Sequence, residues 1–461
     1  MGVYTTVDPV HGQESARYSE LSDHELDELI AENTAAYRFW RTTSIEHRSS
    51  VLARVAELYR EQADELAKLL TVEMGKPIAQ ALGEVELVAS IYRYYADHVA
   101  EFMADEPLDI EGGGTAVVRT EPIGPLVGVM PWNYPYYQVA RFAAPNIALG
   151  NTIILKHARN CPQSALAIER LFLEAGLPSG VYRNAFISSA QVAATIADQR
   201  IQGVSLTGSE KAGSAVGEVA GRHLKKCVLE LGGSDPFIVL GDADVDAAAK
   251  AGAVGRLGNG GQACTASKRF LVEDRVYDEF IDKFTAAMST WHPSDPTDNA
   301  TKLGPMASQA GVDELDELVR DALAHGAKAL LGGTPSNSAG AFYPPTILTG
   351  VTREMRAFDE ELFGPVAVVH RVHSIDEAID VANDSPFGLA SSVFTSDPEQ
   401  AQRVARDLET GMVWINSTSK TAPDLPFGGV KGSGFGRELA RFGFTEFANK
   451  KLVRNPGKAT R

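Results

Sequence analysis

The chain has 461 residues, enough for two or three domains with substantial cores, and its 44% hydrophobic and 22% charged content is that of an ordinary globular protein. A net charge of −17 opposes phosphate backbones and anionic membranes, and no apolar run is long enough to span a bilayer, so neither nucleic acid nor membrane is an expected partner. Three cysteines with no C-x-x-C or Cys/His pairing offer no metal site and point to a reducing cytoplasm. The first residues lack the basic and apolar regions of a secretory signal, and the loose lipidation pattern at Gly2 and Thr6 is read as incidental.

Ser22-Asp23-His24-Glu25 is a capping box opening a helix with Leu26, Leu29, Ile30 and Ala35 on one side. Ser44 starts a second helix that runs to about Gly75, and Pro77 takes a first-turn position in a third that ends near Met103. The segment 115–120, between glycines and Pro122, reads as an edge strand. From Pro125 the rhythm turns to alternation: strands at 126–130, 152–155, 202–206 and 228–231, with helices at 136–149, 163–175 and 209–220 between them. A second alternating series begins with a strand at 237–240, a helix at 245–256, a strand at 269–272 and a helix at 277–289. Such alternation predicts parallel sheets covered by helices, in two α/β units that meet near Gly232-Gly233.

Three stretches carry chemistry. Gly258-Asn259-Gly260-Gly261-Gln262-Ala263-Cys264 lies between a helix and a strand, and its small residues let the backbone turn sharply and present a thiol. Taken alone, that thiol fits a small buried hydrophobe better than a nucleophile. Val228-Leu229-Glu230-Leu231-Gly232-Gly233 is an apolar strand broken by one carboxylate, which is costly to bury unpaired. Val204 to Gly213 reads as strand, glycine turn and helix start, where a pyrophosphate can meet free N–H groups; the Gly-x-x-x-x-Gly spacing departs from the usual dinucleotide fingerprint, and a structural turn competes equally.

Together with Pro131-Trp132-Asn133-Tyr134-Pro135, Glu361-Leu362-Phe363-Gly364-Pro365 and Pro426-Phe427-Gly428-Gly429, these segments resemble the signatures of the aldehyde dehydrogenase superfamily, in order and over nearly the whole chain. The resemblance implies two Rossmann-like α/β domains with a small β arm for bridging and oligomerisation. It places a cofactor-binding domain at 1–107 and 123–232, a catalytic domain at 233–434, and the arm at 108–122 and 435–461. It implies Cys264 as nucleophile, Asn133 with the Cys264 N–H as oxyanion donors, and Glu230 as the base that activates water. Trp132, Asn133, Gly208, Ser209, Leu231, Glu361 and Phe363 would line the pyrophosphate and nicotinamide, and Lys156, His157, Ala158 and Arg159 the adenosine ribose.

Members restricted to NAD usually carry a glutamate where this chain has Arg159, so NADP is the expected preference, with NAD possible. Arg141 lies two helical turns past Asn133 and matches the arginine of members that act on succinate semialdehyde; the local wording around Lys156 and Glu230 also resembles bacterial succinate-semialdehyde dehydrogenases. A second arginine of some of those enzymes is Gly258 here, and Thr418, Ser419 or Thr421 is the alternative partner for the substrate carboxylate. The expected activity is oxidation of succinate semialdehyde through a cysteine thioester, by a homodimer or homotetramer. A neutral or other ω-carboxy aldehyde, or transfer to coenzyme A, is the alternative.

Overall fold

A computed structural model describes residues 2–111, 113–336 and 339–457. Of the segments anticipated above, Met1, Gly112 and 458–461 lie outside the described residues.

Two largely parallel sheets organise the chain. The first has six strands in the order Gly434–Phe435, Lys226–Glu230, Gly203–Thr207, Pro125–Val129, Thr152–Lys156 and Tyr182–Asn184, with only the first antiparallel. The second has seven, in the order Lys328–Leu331, Thr346–Thr349, Val366–Val372, Ser267–Glu273, Asp235–Val239, Ala390–Phe394 and Met412–Ile415, again with one antiparallel edge. Runs such as Leu126-Val127 and Ile153-Ile154-Leu155 are buried on both faces, as strands between two helix layers must be. The chain changes sheets between Glu230 and Asp235, across Gly232-Gly233.

Local chemistry explains the helix ends. The Ser22 capping box forms, Pro135 and Pro162 sit in first turns, and Gly75 and Gly150 close helices in the left-handed conformation. The helix read from Ser44 to Gly75 is two, Ile45–Glu61 and Ala63–Met74, broken at Gln62. Pro77 is the N-cap of Ile78–Phe102 rather than its first helical residue.

Thr115–Pro122 is no edge strand. It is the middle of three, paired with Glu106–Pro107 on one side and with all of Ala448–Asn455 on the other. The exposed member is Ala448–Asn455. Before it, 434–446 belongs to the first sheet and its helices: Phe435 pairs with Leu229, and the Tyr95 hydroxyl donates to the Ala440 carbonyl. Elements with no counterpart in the sequence reading include a hairpin of Val3–Val7 and Glu14–Ser19, the short strands Glu106–Pro107 and Tyr182–Asn184, and the helix Ser189–Ala197.

Candidate active site

Cys264 stands at the boundary of the two sheets, just before the strand Ser267–Glu273. Its loop turns through left-handed backbone at Asn259 (φ 54°), Gly260 (φ 66°) and Gly261 (φ 71°). A Cβ at Gly261 would collide with the Gly364 carbonyl, so glycine is required there both for the turn and for the approach of a second loop. Arg256, fully buried, donates to the carbonyls of Gly261 (2.6 Å) and Leu362 (3.3 Å) and ties the two loops together. The half-buried thiol is pushed up to about 12, chiefly by burial, against the pull of Arg141 and Lys268. The Cys264 N–H donates to no acceptor among the described residues.

Asn133 is held on both ends. Its Nδ2 donates to the Gln262 carbonyl at 3.1 Å, within the cysteine loop, and its Oδ1 accepts from Gln138 Nε2 at 3.3 Å. Its main-chain carbonyl accepts from Asn259 Nδ2 (2.9 Å) and from Lys76 Nζ (3.1 Å). Lys76 is buried, lies 3.7 Å from the Tyr134 ring centroid, and is ion-paired with Glu84. The other Glu84 oxygen accepts the N–H groups of Tyr136 and Tyr137, orphan donors of the first turn of Pro135–Leu149. A buried ion pair therefore anchors the main chain of Asn133, which lines the same two cavities as Cys264.

Glu230 ends its strand 1% exposed, and neither carboxyl oxygen has a hydrogen-bond partner among the described residues. Burial holds its pKa well above the ordinary range, opposed by Arg141. Its carboxyl abuts Gly428, where a Cβ would come within 2.8 Å of Oε1.

Arg141, matched above to the arginine of members that act on succinate semialdehyde, lies behind the pocket wall. It is 0% exposed, and its guanidinium sits 4.3 Å from the Phe427 ring centroid and 4.8 Å from that of Tyr137. Nε is 2.7 Å from Glu438 Oε2, an ion-pair contact without good hydrogen-bond alignment, and Nη2 donates to Gln138 and Thr207. Thr421 does line the pocket, its hydroxyl 3.1 Å from that of Tyr137.

Three cavities adjoin one another through shared lining residues. One of ≈ 450 Å³ lies between the helices Ser189–Ala197 and Glu210–Arg222, apolar apart from Lys156, Lys211 and two serines, Ser209 among them. Ser209, the N-cap of Glu210–Arg222, also borders the second cavity, which continues past Trp132, Leu231, Glu361 and Phe363 to Cys264. Asn133, Gln138 and Cys264 border both this cavity and a third of ≈ 340 Å³, walled by Tyr134, Tyr137, Phe427 and 419–421. Of the expected ribose residues only Lys156 lines the first cavity. His157 is buried with Nε2 3.0 Å from the Pro135 carbonyl, and Arg159 is ion-paired with Glu20 and donates to the Val3 carbonyl on the N-terminal hairpin. Ala158 donates its N–H to His157 Nδ1.

The profile of the aldehyde dehydrogenase family matches residues 2–453. The chain belongs to that family. Among curated relatives, this aldehyde dehydrogenase is 52% identical over 451 residues to "Succinate-semialdehyde dehydrogenase [NADP(+)]" of Deinococcus radiodurans, spanning 98% of this chain and 94% of the relative. It is 44% identical over 451 residues to "Succinate-semialdehyde dehydrogenase [NADP(+)] 1" of Mycobacterium ulcerans, spanning 97% and 98%. Among solved structures, a succinic semialdehyde dehydrogenase of Streptococcus pyogenes in complex with NADP+ superposes with a TM-score of 0.97 at 43% identity, over 98% of this chain and 100% of that one.

The sequence reading passed over Lys76, Glu84, Gln138 and Lys268, all buried around the site of this aldehyde dehydrogenase. A signal existed for three of them: Lys76, Glu84 and Lys268 are charges that interrupt buried apolar segments. No described group of histidines, cysteines and carboxylates is arranged to hold a metal.

Proposed function

We propose that the chain oxidises succinate semialdehyde to succinate with NADP as preferred acceptor and NAD as a weaker one. The supporting observation is a succession of three adjoining cavities, two of which border Cys264: an adenosine-sized groove lined by Lys156, a helix N-terminus at Ser209, then the thiol, then a small chamber beyond. These residues fit a dinucleotide, with Lys156 rather than Arg159 nearest to a 2′-phosphate. When bound, NADP supplies the acceptor for the hydride of the substrate carbon. The names of the Deinococcus and Mycobacterium relatives support both the cofactor and the aldehyde.

Cys264 Sγ adds to the aldehyde carbon, and Asn133 Nδ2 with the Cys264 N–H receives the oxygen as it gains charge. Glu230 takes the thiol proton and passes it to solvent before hydrolysis; it then takes a proton from the water that attacks the thioester and returns it to the sulfur as the carboxylic acid leaves, so that the thiol is restored. Because burial raises both pKa values, each transfer works against the cost of forming a charge in a desolvated site.

The substrate carboxylate is assigned to the far end of the third cavity, to Thr421 with the Tyr137 hydroxyl, Ser419 and the exposed Lys420. Arg141 contributes its field through the Tyr137–Phe427 wall. Ala448–Asn455 presents an exposed edge, suited to pairing with another subunit in a homodimer or homotetramer. No described helix is long and apolar enough to cross a membrane, and the three free cysteines fit a reducing cytoplasm.

The test is the rate of reduced-nicotinamide formation with succinate semialdehyde and butanal, each with NADP and NAD. The reading predicts the highest kcat/KM for succinate semialdehyde with NADP and no acceleration by coenzyme A. Equal kcat/KM for butanal would overturn the substrate, and tighter use of NAD would overturn the cofactor preference.

A further inference from the structure

Lys268 is the second residue of the strand that follows the cysteine loop, and its side chain is 1% exposed. Its ammonium lies within reach of four oxygens: the carbonyls of Cys264 (3.1 Å), Ala263 (3.3 Å) and Ala266 (3.4 Å), and Glu361 Oε1 (3.2 Å). A lysine has three protons to donate, so these four acceptors compete. Glu361 is anchored from behind by the Gly233 N–H (3.1 Å) and is itself 21% exposed, bordering the cavity between Ser209 and Cys264. The same two loops are joined a second time by Arg256 and by the contact of Gly261 with Gly364, so neither moves alone.

We propose that Lys268 is a positioning residue that couples cofactor occupancy at Glu361 to the reactivity of Cys264. The proposal rests on the function proposed above, in which Glu361 meets the nicotinamide ribose. Hydroxyl donors arriving at Glu361 share its negative charge, and the ammonium is released towards the carbonyls of Ala263 and Cys264. That shift tightens the loop and brings more positive field to the thiol. The charged groups facing Cys264 are Arg141, Glu230, Lys268 and Glu361, with Asp235 facing Lys268 from the neighbouring strand. Of these, Lys268 alone contacts both the nucleophile's own carbonyl and the cofactor-side carboxylate.

The experiment is the rate of iodoacetamide labelling at Cys264, read on its peptide across pH, with and without saturating NADP+, together with NADP+ binding. In the wild type NADP+ is expected to change the labelling rate by at least about fivefold. In Lys268→Met, which keeps the side-chain volume, NADP+ still binds but the rate no longer responds. Glu361→Gln breaks the same link from its other end and is expected to show the same loss, which keeps the proposal testable should Lys268→Met fail to fold. A full NADP+ response in Lys268→Met or in Glu361→Gln, or none in the wild type despite binding, would overturn the coupling. Failure of the wild type to bind either nicotinamide cofactor would instead overturn the proposed function, and the coupling with it.

Discussion

Arg141 and Glu438 form a buried ion pair, 2.7 Å apart, behind the aromatic wall of the chamber beyond Cys264. The pair sets Arg141 apart from an exposed anion receptor, because removing either member leaves the other charged and dry. Arg141→Met is expected to destabilise the protein by about 3–5 kcal/mol, read as a fall in Tm, and the double variant with Glu438→Met to regain much of that loss. The ratio of kcat/KM for succinate semialdehyde over butanal should change more in Thr421→Val or Lys420→Met than in Arg141→Met.

Lys76 lines none of the three cavities at the site and acts on it through the carbonyl of Asn133, the Tyr134 ring and Glu84. Lys76→Met should therefore lower kcat by about 100-fold, the scale of an ångström of misplacement, with the KM for NADP little changed. Asn133→Ala removes the donor itself and should cost about 100- to 1,000-fold in kcat. Steady-state kinetics on both variants checks this.

Glu230 gives opposite signs for activity and stability. Its raised pKa means that the folded protein holds a proton the unfolded chain has lost, so stability falls as pH rises above the ordinary glutamate range towards the folded-state value. Glu230→Gln lacks this slope. Its Tm is expected to match or exceed that of the wild type, by a margin that grows as pH rises above the ordinary glutamate range, while its turnover collapses. Wild-type kcat should rise with pH above the ordinary glutamate range, as the base ionises.

Lys156 has a pKa lowered to about 8, first by burial and then by Arg159, with Glu20 opposing. The cation present below that value is lost above it. The Kd for NADP should therefore rise as pH is raised through about 8, and that for NAD much less. Lys156→Ala should weaken NADP binding more than Arg159→Ala, since Arg159 is already occupied by Glu20 and the Val3 carbonyl. Titration of intrinsic fluorescence against pH tests both.

Cys264, Glu230 and Asn133 stand out in the sequence because they lie in contiguous segments whose order along the chain is distinctive. The parallel sheets were legible from alternation, since a strand buried on both faces must be apolar throughout. What escaped depends on pairs distant in sequence. Arg141 finds Glu438, Arg159 finds Glu20, and Lys268 finds Glu361, and nothing local to an arginine or lysine tells whether its partner is substrate or protein. The N-terminal hairpin was missed because its alternation is polar, whereas Ser188-Ser189-Ala190-Gln191 was a readable capping box at the start of a helix that walls the adenosine-sized groove.

The central claim is a thioester on Cys264 formed with concurrent reduction of NADP. Glu230→Gln mixed with succinate semialdehyde and NADP in a single turnover tests it most directly, because loss of the base slows acylation, where solvent can still take the thiol proton, but arrests hydrolysis, where the attacking water needs the carboxylate, so the acyl-enzyme accumulates. The account predicts a burst of NADPH approaching one per chain and a succinyl adduct on the Cys264 peptide, both absent in Cys264→Ala. NADPH formed without an adduct at Cys264, or at the same rate in Cys264→Ala, would contradict it.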